Sequence, residues 1–118
     1  MKVTINRKEI DSIIPMNTIF QLTKGLMFKK KGRALLIFPN SARHSIWMAF
    51  MKYPLDLIFI DETFKIIDIT ENVLPLTFNP KTWKTYFPKE KCRYILEVES
   101  GIVKSTGLMI GAVAEFKI

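Results

Sequence analysis

The sequence predicts a mostly β fold: a compact barrel-like or sandwich sheet of seven to eight short strands with two short peripheral helices. Three observations predict it. Apolar residues recur in short, often alternating runs of strand length. Six prolines and five glycines are spread between these runs as turn residues and do not cluster into a linker. The 118 residues are 48% apolar, enough to form the core of one domain over residues 1–118.

The first half of the chain contains four strand-like runs. Residues 2–6 alternate in polarity, residues 6–9 suit a turn, and the run at 10–14 can pair back on the first strand. Residues 34–38 are a short apolar run, and residues 44–50 alternate again. This spacing indicates short antiparallel strands joined by tight turns.

The second half adds a central strand and three others. Residues 55–60 are apolar on both faces except for Asp56, the pattern of an interior strand. After a turn, residues 65–71 return as its neighbour, and residues 112–118 form the last strand.

The cleanest alternation lies at residues 93–99. Since successive side chains of a strand point to opposite faces, this run predicts one buried face and one solvent face. The inward residues are then Tyr94, Leu96 and Val98, and the outward residues are Arg93, Glu97 and Glu99.

Two short helices are expected between the strands. Asn17 or Thr18 is suited to cap the first, and Gly25 to end it in the left-handed conformation. Ser100 is suited to cap the second, which Gly107 would end.

Residues 72–91 form a long excursion broken by three prolines and rich in aromatic and basic residues. Trp83 and Tyr86 lie within it. Long segments of this kind in a compact domain are often functional, so the excursion is a candidate wall for a binding groove. The alternative is that its aromatic residues lie beneath the loop as additions to the core.

The chain carries 18 Lys and Arg against 11 Asp and Glu, a net charge of +7. Two basic clusters stand out, residues 24–33 and 81–93, and basic residues interleaved with aromatic rings suit single-stranded nucleic acid. The simpler interpretation is a solvated surface. The candidate basic-surface residues are Lys29, Lys30, Lys31, Arg33, Lys81 and Lys84.

The sequence lacks the residues that several kinds of functional site require. Cys92 is the single cysteine and His44 the single histidine, so the sequence offers neither an intrachain disulfide nor the ligands of a structural zinc site. No glycine-rich phosphate loop is present, and no cofactor is expected. With no export signal and no apolar run long enough to span a membrane, we expect a cytoplasmic protein.

Three sequence blocks resemble domain-of-unknown-function family 192. They are Gly25-Leu26-Met27-Phe28-Lys29, then Ile46-Trp47-Met48 followed by residues 54–61, and finally Tyr94-Ile95-Leu96-Glu97 with Gly101. The resemblance implies a compact, mostly β domain and supplies no catalytic assignment.

The chain departs from that family in two places. Residues 49–51 read Ala-Phe-Met where many members have Lys-Asn-Thr, and Ala112 follows Gly111 where an acidic residue is usual. If those polar residues line a site in other members, the site of this chain is more apolar.

Asp56 is the candidate polar residue of a site, since an ionised carboxylate in an apolar strand must be paired, hydrogen-bonded or protonated. It would lie at the mouth of a pocket, with Arg43 or His44 as a partner. A hydrolase or transferase using these groups is one hypothesis. The structural alternative is an ion pair or a turn cap.

Trp47 and Met48 are adjacent in a strand, so one should enter the core and the other should face a second layer or groove. We therefore favour a non-enzymatic binding or interaction module with a groove near Trp47, Asp56 and residues 72–91. RNA binding through the basic clusters is the alternative. The partner would be a small or anionic molecule, a peptide segment or nucleic acid, and the protein would be a monomer or a weak oligomer. The candidate binding residues are Trp47, Met48, Asp56, Arg43, His44, Trp83 and Tyr86.

Overall fold

A computed structural model describes residues 1–77, 79–82 and 84–117. Ten strands and three short helical segments occur in these ranges. The strands are β1 (Lys2–Ile5), β2 (Lys8–Ile10), β3 (Ile13–Met16), β4 (Arg33–Ala42), β5 (Ile46–Trp47), β6 (Leu55–Ile60), β7 (Ile66–Val73), β8 (Thr85–Tyr86), β9 (Cys92–Glu99) and β10 (Ala114–Lys117). The helical segments are α1 (Ile19–Lys24), α2 (Ile102–Thr106) and a 3-10 turn at Pro80–Thr82.

The strands form three sheets. The largest has the order β3-β4-β9-β6-β7, a second has the order β10-β1-β2, and β5 and β8 form a two-stranded ribbon. The mostly β prediction is confirmed. The barrel-like alternative is not, because the strands described here form separate open sheets, and the count of helical segments is three, not two.

β6 is an interior strand of the large sheet, next to the middle strand β9, as its apolar sequence predicts. It pairs antiparallel with β7 on one side and with β9 on the other. Every residue of β6 is buried. A strand with partners on both edges and layers on both faces has no solvent face, and this explains why its sequence does not alternate.

Two apolar cores lie on opposite faces of the large sheet. One contains Leu57, Phe59 and Ile95 and is closed by the segment around Leu26 and Met48. The other contains Ile58, Leu96 and Val98 with residues of the three-stranded sheet and of α2. Since residues of β6 and of the middle of β9 alternate between the cores, a β9 residue predicted to point outward, such as Glu97, lies on the face of the first core and not in water.

The helix ends only partly follow the predicted caps. Thr18 caps α1 with a capping box, since its hydroxyl accepts from the Gln21 N–H and the Gln21 side chain accepts from the Thr18 N–H. Gly25 and Gly107 end the two helices at positive φ. Gly107 is in the left-handed conformation, whereas Gly25, with φ 52° and ψ −129°, is not in the left-handed conformation that was predicted for it. The Ser100 cap is wrong: Gly101 is the N-cap of α2, and the Ser100 hydroxyl instead donates to Asn72.

Two absences apply to residues 1–77, 79–82 and 84–117. No helix there is both long enough and apolar enough to cross a bilayer. No group of three or more His, Cys, Asp and Glu side chains is placed to hold a metal ion.

Candidate functional site

A cavity lies against the ribbon of β5 and β8, and we name it the aromatic groove. It has a volume of about 840 Å³ and a mostly apolar surface. The residues that line it are Trp47, Ala49, Phe50, Leu76, Thr77, Lys84 and Thr85. One wall therefore comes from residues 47–50 and the other from the predicted excursion at 72–91.

Strand alternation places Trp47 in this groove. Ile46 pairs with Tyr86 and Trp47 with Thr85, so Trp47 and Thr85 are neighbours across the ribbon. Met48 is buried in the core, whereas Trp47 is 58% exposed. This confirms that one of the two residues enters the core and the other faces out.

Phe50 extends the exposed aromatic surface beyond Trp47. Its backbone has a φ of 59°, a conformation that a bulky residue seldom adopts, and its side chain is 62% exposed. The ring stacks on Phe28 with 5.1 Å between centroids, and the Phe28 N–H donates to the Phe50 carbonyl. These contacts fix an exposed ring beside the groove, which core packing alone would not require.

A second cavity, of about 450 Å³, shares Trp47, Ala49 and Phe50 with the aromatic groove. We name it the Glu97 cavity. Its other lining residues are Leu22, Lys24, Gly25, Leu26, Met27, Leu36, Ser45, Ile46, Met51 and Glu97. The two cavities are therefore neighbours on either side of the Trp47–Phe50 segment.

Glu97 supplies a buried carboxyl group to this second cavity. It lies on β9 in register with Ala34 of β4 and Leu57 of β6, so it stands on the apolar face of the sheet that α1 flanks. Its residue surface is only 3% exposed, and its Oε1 atom has no hydrogen-bond partner. Burial raises the pKa of Glu97 to about 7.

Gly25 is close to this carboxyl group. Its φ is +52°, and a Cβ atom at this position would lie 3.3 Å from Glu97 Oε1. A glycine therefore serves both the backbone turn that ends α1 and the space beside the carboxyl oxygen.

The three sequence blocks that carry the family resemblance meet at the Glu97 cavity. Residues 25–27 form one wall, residues 46–51 form another, and Glu97 comes from the late strand. The apolar residues Ala49, Phe50 and Met51 line it, at the positions where the sequence departs from the polar pattern of the family. Of the candidate binding residues, Trp47 lines this cavity, and Glu97 was not among the candidates.

The prediction that Glu97 points to solvent is wrong. Alternation along β9 does separate Glu97 from Leu96 and Val98, but the opposite face of the sheet is covered by a second core. The one available signal was that the strand carrying Glu97 pairs with the interior strand β6. This strand has neighbours on both edges, and both of its faces can then be covered.

Asp56, the residue expected at the pocket mouth, does not line either cavity. It is 1% exposed, and its Oδ1 accepts from the Asn72 N–H at 2.9 Å. Its Oδ2 accepts from the N–H groups of Gly101 at 3.1 Å and Val103 at 3.0 Å. The carboxylate thereby caps α2 from a distant strand, which corresponds to the structural alternative.

Arg43 and His44 are not partners of Asp56. The Arg43 guanidinium donates to the Pro88 carbonyl and lies over the Phe87 ring, 5.7 Å from its centroid. The His44 ring stacks on Phe38 with 3.7 Å between centroids, and its Nε2 lies 2.9 Å from the Asn40 carbonyl. This arrangement does not assemble the acid–base set that the hydrolase or transferase hypothesis requires.

Tyr86 and the single thiol lie outside the linings of the two cavities. Tyr86 is half-buried against the core, and Lys84 Nζ lies over its ring, 4.9 Å from the centroid. Trp83 falls outside the described residues. Cys92 is buried, and this burial raises the pKa of its thiol to about 11, so the thiol is neutral near pH 7.

The candidate basic residues fall into two groups. Arg33 is not a free basic residue, because its guanidinium binds the Glu99 carboxylate, 2.9 Å from Nε to Oε1, and also the Asp11 side chain. This pairing lowers the pKa of Glu99. The lysines at these positions have exposed side chains, namely Lys29, Lys30, Lys31, Lys81 and Lys84.

Comparison with known proteins places the chain in a family. The model of DUF192, described as "Uncharacterized ACR", matches residues 1–116. The UPF0127 protein PH1112 of Pyrococcus horikoshii is 40% identical over 84 residues, which are 69% of this chain and 66% of that protein. The UPF0127 protein PF1050 of Pyrococcus furiosus is 35% identical over 90 residues, 74% of this chain and 71% of that protein.

Two crystal structures share the fold. A protein of unknown function from Novosphingobium aromaticivorans has a TM-score of 0.86 at 20% identity, covering 98% of this chain and 84% of that one. A protein from Sinorhizobium meliloti, named a "putative transcription regulator", has a TM-score of 0.84 at 24% identity, covering 97% of this chain and 91% of that one. At these identities the likeness concerns the fold alone.

Proposed function

This chain belongs to the DUF192 family, whose biochemical activity is unknown, and from that premise we propose that it is a non-enzymatic module that binds a small, largely apolar molecule in the aromatic groove. The observation that carries the proposal is the exposed aromatic pair Trp47 and Phe50, held over a cavity of about 840 Å³. Concave, mostly apolar sites with a few polar groups are typical small-molecule sites.

The chemistry of the lining supports an apolar ligand body. Leu76 and Ala49 face the rings, while Thr77, Thr85 and Lys84 supply the polar groups that would orient a ligand. Exposed side chains as large as Trp47 and Phe50 lose favourable apolar burial when left in water, and a ligand between them would restore part of it. The described residues that line the groove include no acid–base pair, in agreement with binding without catalysis.

A test uses indole as a neutral aromatic probe and maps its contacts by NMR chemical shifts. We expect shifts at Ala49, Leu76 and Thr85, and at least tenfold weaker binding in Trp47→Ala. Met109→Ala is the matched control, because Met109 is equally apolar and exposed but lies outside both cavities. Shifts scattered over the surface, or unchanged binding in Trp47→Ala, would contradict the proposal.

Single-stranded nucleic acid is the second candidate ligand. The specific observation is that the exposed lysines 29–31 directly follow Phe28, whose ring is exposed and stacked on Phe50. Phosphates would contact the lysines and bases would stack on the rings. We expect affinity for a short RNA to fall steeply with salt and to drop in a variant with all three lysines changed to glutamine. Undetectable binding at low salt would exclude this function.

A further inference from the structure

We infer that the Glu97 cavity receives the positively charged nitrogen group of a small organic cation, whose apolar body lies against Trp47 and Phe50. The inference rests on the proposed function and specifies its ligand class. It goes beyond an apolar groove because it assigns a polar recognition group, a charge and a direction of entry to the ligand.

The Glu97 carboxyl group has an oxygen atom without a hydrogen-bond partner. Buried polar atoms in native proteins are hydrogen-bonded with few exceptions, and an exception calls for an explanation. Glu97 Oε1 is such an exception, and Glu97 lines a cavity of about 450 Å³. A cationic N–H group that enters this cavity would supply both the missing hydrogen bond and the missing countercharge.

Gly25 approaches this oxygen closely. Gly25 ends α1 without a Cβ atom, and a Cβ there would stand 3.3 Å from Oε1. The Tyr53 hydroxyl group does not serve Glu97, because it donates to the Gly32 carbonyl at 2.7 Å. Burial, together with the Glu97 and Glu99 carboxylates, raises the pKa of Tyr53 to about 12, so it is a neutral neighbour near pH 7.

Aromatic rings border the cavity. Trp47 and Phe50 belong to the linings of both cavities, and Phe28 stacks on Phe50. Aromatic faces attract cations through their quadrupole, most strongly where water is excluded. The aromatic rings at the entrance are complementary to the apolar body of such a cation, and the buried acid is complementary to its charged group.

Lys24 also lines the cavity and has the same sign of charge as the proposed ligand. Lys24 is exposed, whereas Glu97 is buried, so the carboxyl group and not the ammonium group is the desolvated group of this cavity. The desolvated Glu97 carboxyl group then determines the charge preference inside the cavity, because electrostatic interactions are strongest where water is excluded.

The experiment compares three probes that share one ring and differ in charge: benzamidine, benzamide and benzoate. Binding is measured by NMR titration at pH 8, where Glu97 is mostly ionised, and at pH 5, where it is mostly protonated. At pH 8 we expect benzamidine to bind at least tenfold more tightly than benzamide, and benzoate to bind most weakly. At pH 5 the preference for benzamidine should shrink to less than threefold.

Two variants keep the result interpretable. Glu97→Gln keeps the shape of the side chain, relieves charge burial and should remove the preference for benzamidine at pH 8. Glu71→Gln makes the same change at an exposed position and should leave the preference intact. Equal affinity for benzamidine and benzamide, a preference that survives Glu97→Gln, or no binding of benzamidine would overturn the inference.

The outcome with indole separates this inference from the proposed function. If indole binds at Trp47 but benzamidine shows no preference, the groove is a site without cation recognition, and the inference alone fails. If neither probe binds, both fail.

Discussion

At the scale of single residues, two of the three buried carboxyl groups described in the large sheet, Asp56 and Glu97, have opposite roles. Asp56 accepts three backbone hydrogen bonds, while Glu97 leaves one oxygen without a partner. Asp56 stands in a strand otherwise filled with apolar residues, whereas β9 also contains Arg93 and Glu99. The two carboxyl groups differ in their surroundings. N–H groups of a helix and a strand lie next to Asp56, whereas a cavity lies next to Glu97.

The first prediction concerns the pH dependence of stability. Burial raises the folded-state pKa of Glu97 from 4.5 to about 7, so the folded protein holds a proton that the unfolded chain has lost. The contribution of this group to stability is complete below pH 4.5 and is lost as the pH rises to about 7. The loss is about 3 kcal/mol, from 1.36 kcal/mol per pKa unit.

Glu97→Gln removes this titration. Relative to the wild type, the free energy of unfolding of the variant should rise by about 3 kcal/mol between pH 4.5 and pH 8, because the charged form is no longer buried. Urea denaturation at several pH values measures it, with Glu71→Gln as the control. A difference that does not change with pH would show that Glu97 is solvated in the folded state.

The second prediction concerns Asp56. Asp56→Ala leaves the N–H groups of Asn72, Gly101 and Val103 without their acceptor, and we expect a loss of about 3 kcal/mol or more in the free energy of unfolding. Chemical denaturation measures this loss. Glu62→Ala, an exposed carboxylate on a turn, should change stability by less than about 0.5 kcal/mol. Equal effects of the two substitutions would refute the capping role.

Residue roles were only partly predictable from the sequence. That Asp56 needs partners followed from its place in an apolar strand, but the partners are backbone N–H groups from residues 72, 101 and 103. Such partners are set by the tertiary fold and leave no local pattern. Glu97 was missed for a related reason, since alternation reports two faces of a strand but not what covers each one.

At the scale of elements, the end of α1 links local backbone geometry to the site. Gly25 and Gly107 both end a helix at positive φ, at +52° and +69°. They differ in their surroundings: a Cβ at Gly25 would lie close to Glu97 Oε1, whereas a Cβ at Gly107 would meet nothing within 4 Å.

The third prediction compares these two glycines. Gly107→Ala should cost about 1 kcal/mol through backbone strain alone, because Gly107 is in the left-handed helical conformation. Gly25→Ala should cost more, because its backbone (φ 52°, ψ −129°) suits alanine less well and the new methyl group crowds the carboxyl oxygen, and it should also weaken benzamidine binding. Thermal and urea denaturation of both variants give the comparison. If both variants lose the same stability, the Gly25 position is a helix end with no part in the site.

Element predictions succeeded where the signal is local. The Thr18 cap, both glycine helix ends and the apolar strand β6 were all read from neighbouring residues. They failed where the partner is distant in sequence. The ribbon of β5 and β8 shows this, because it joins Trp47 to Thr85 across the long excursion and builds the aromatic groove.

At the scale of the whole molecule, the two cores share one sheet. β6 and β9 contribute to both, so opening either strand exposes apolar surface on two faces. Local openings of the native state should therefore avoid these strands and occur where few partners are lost.

The fourth prediction follows from this arrangement. Amide hydrogen exchange should be slowest in β6 and β9, close to the rate set by global unfolding, and much faster in the β5–β8 ribbon at the groove. Mass spectrometry or NMR measures both. Indole should slow exchange in the ribbon more than in β6. Ribbon amides as slow as those of β6 in the free protein would show that the groove wall is part of the stable core.

The pairing of β1 with β10 has a consequence for how the protein reaches this structure. Lys2 lies opposite Lys117, so β1 and β10 pair across a large separation in sequence. Until β10 docks, the hairpin of β1 and β2 has one edge open, and such unpaired edges promote association between chains. A circular permutant joining β10 directly to β1 would turn this distant pairing into a local one.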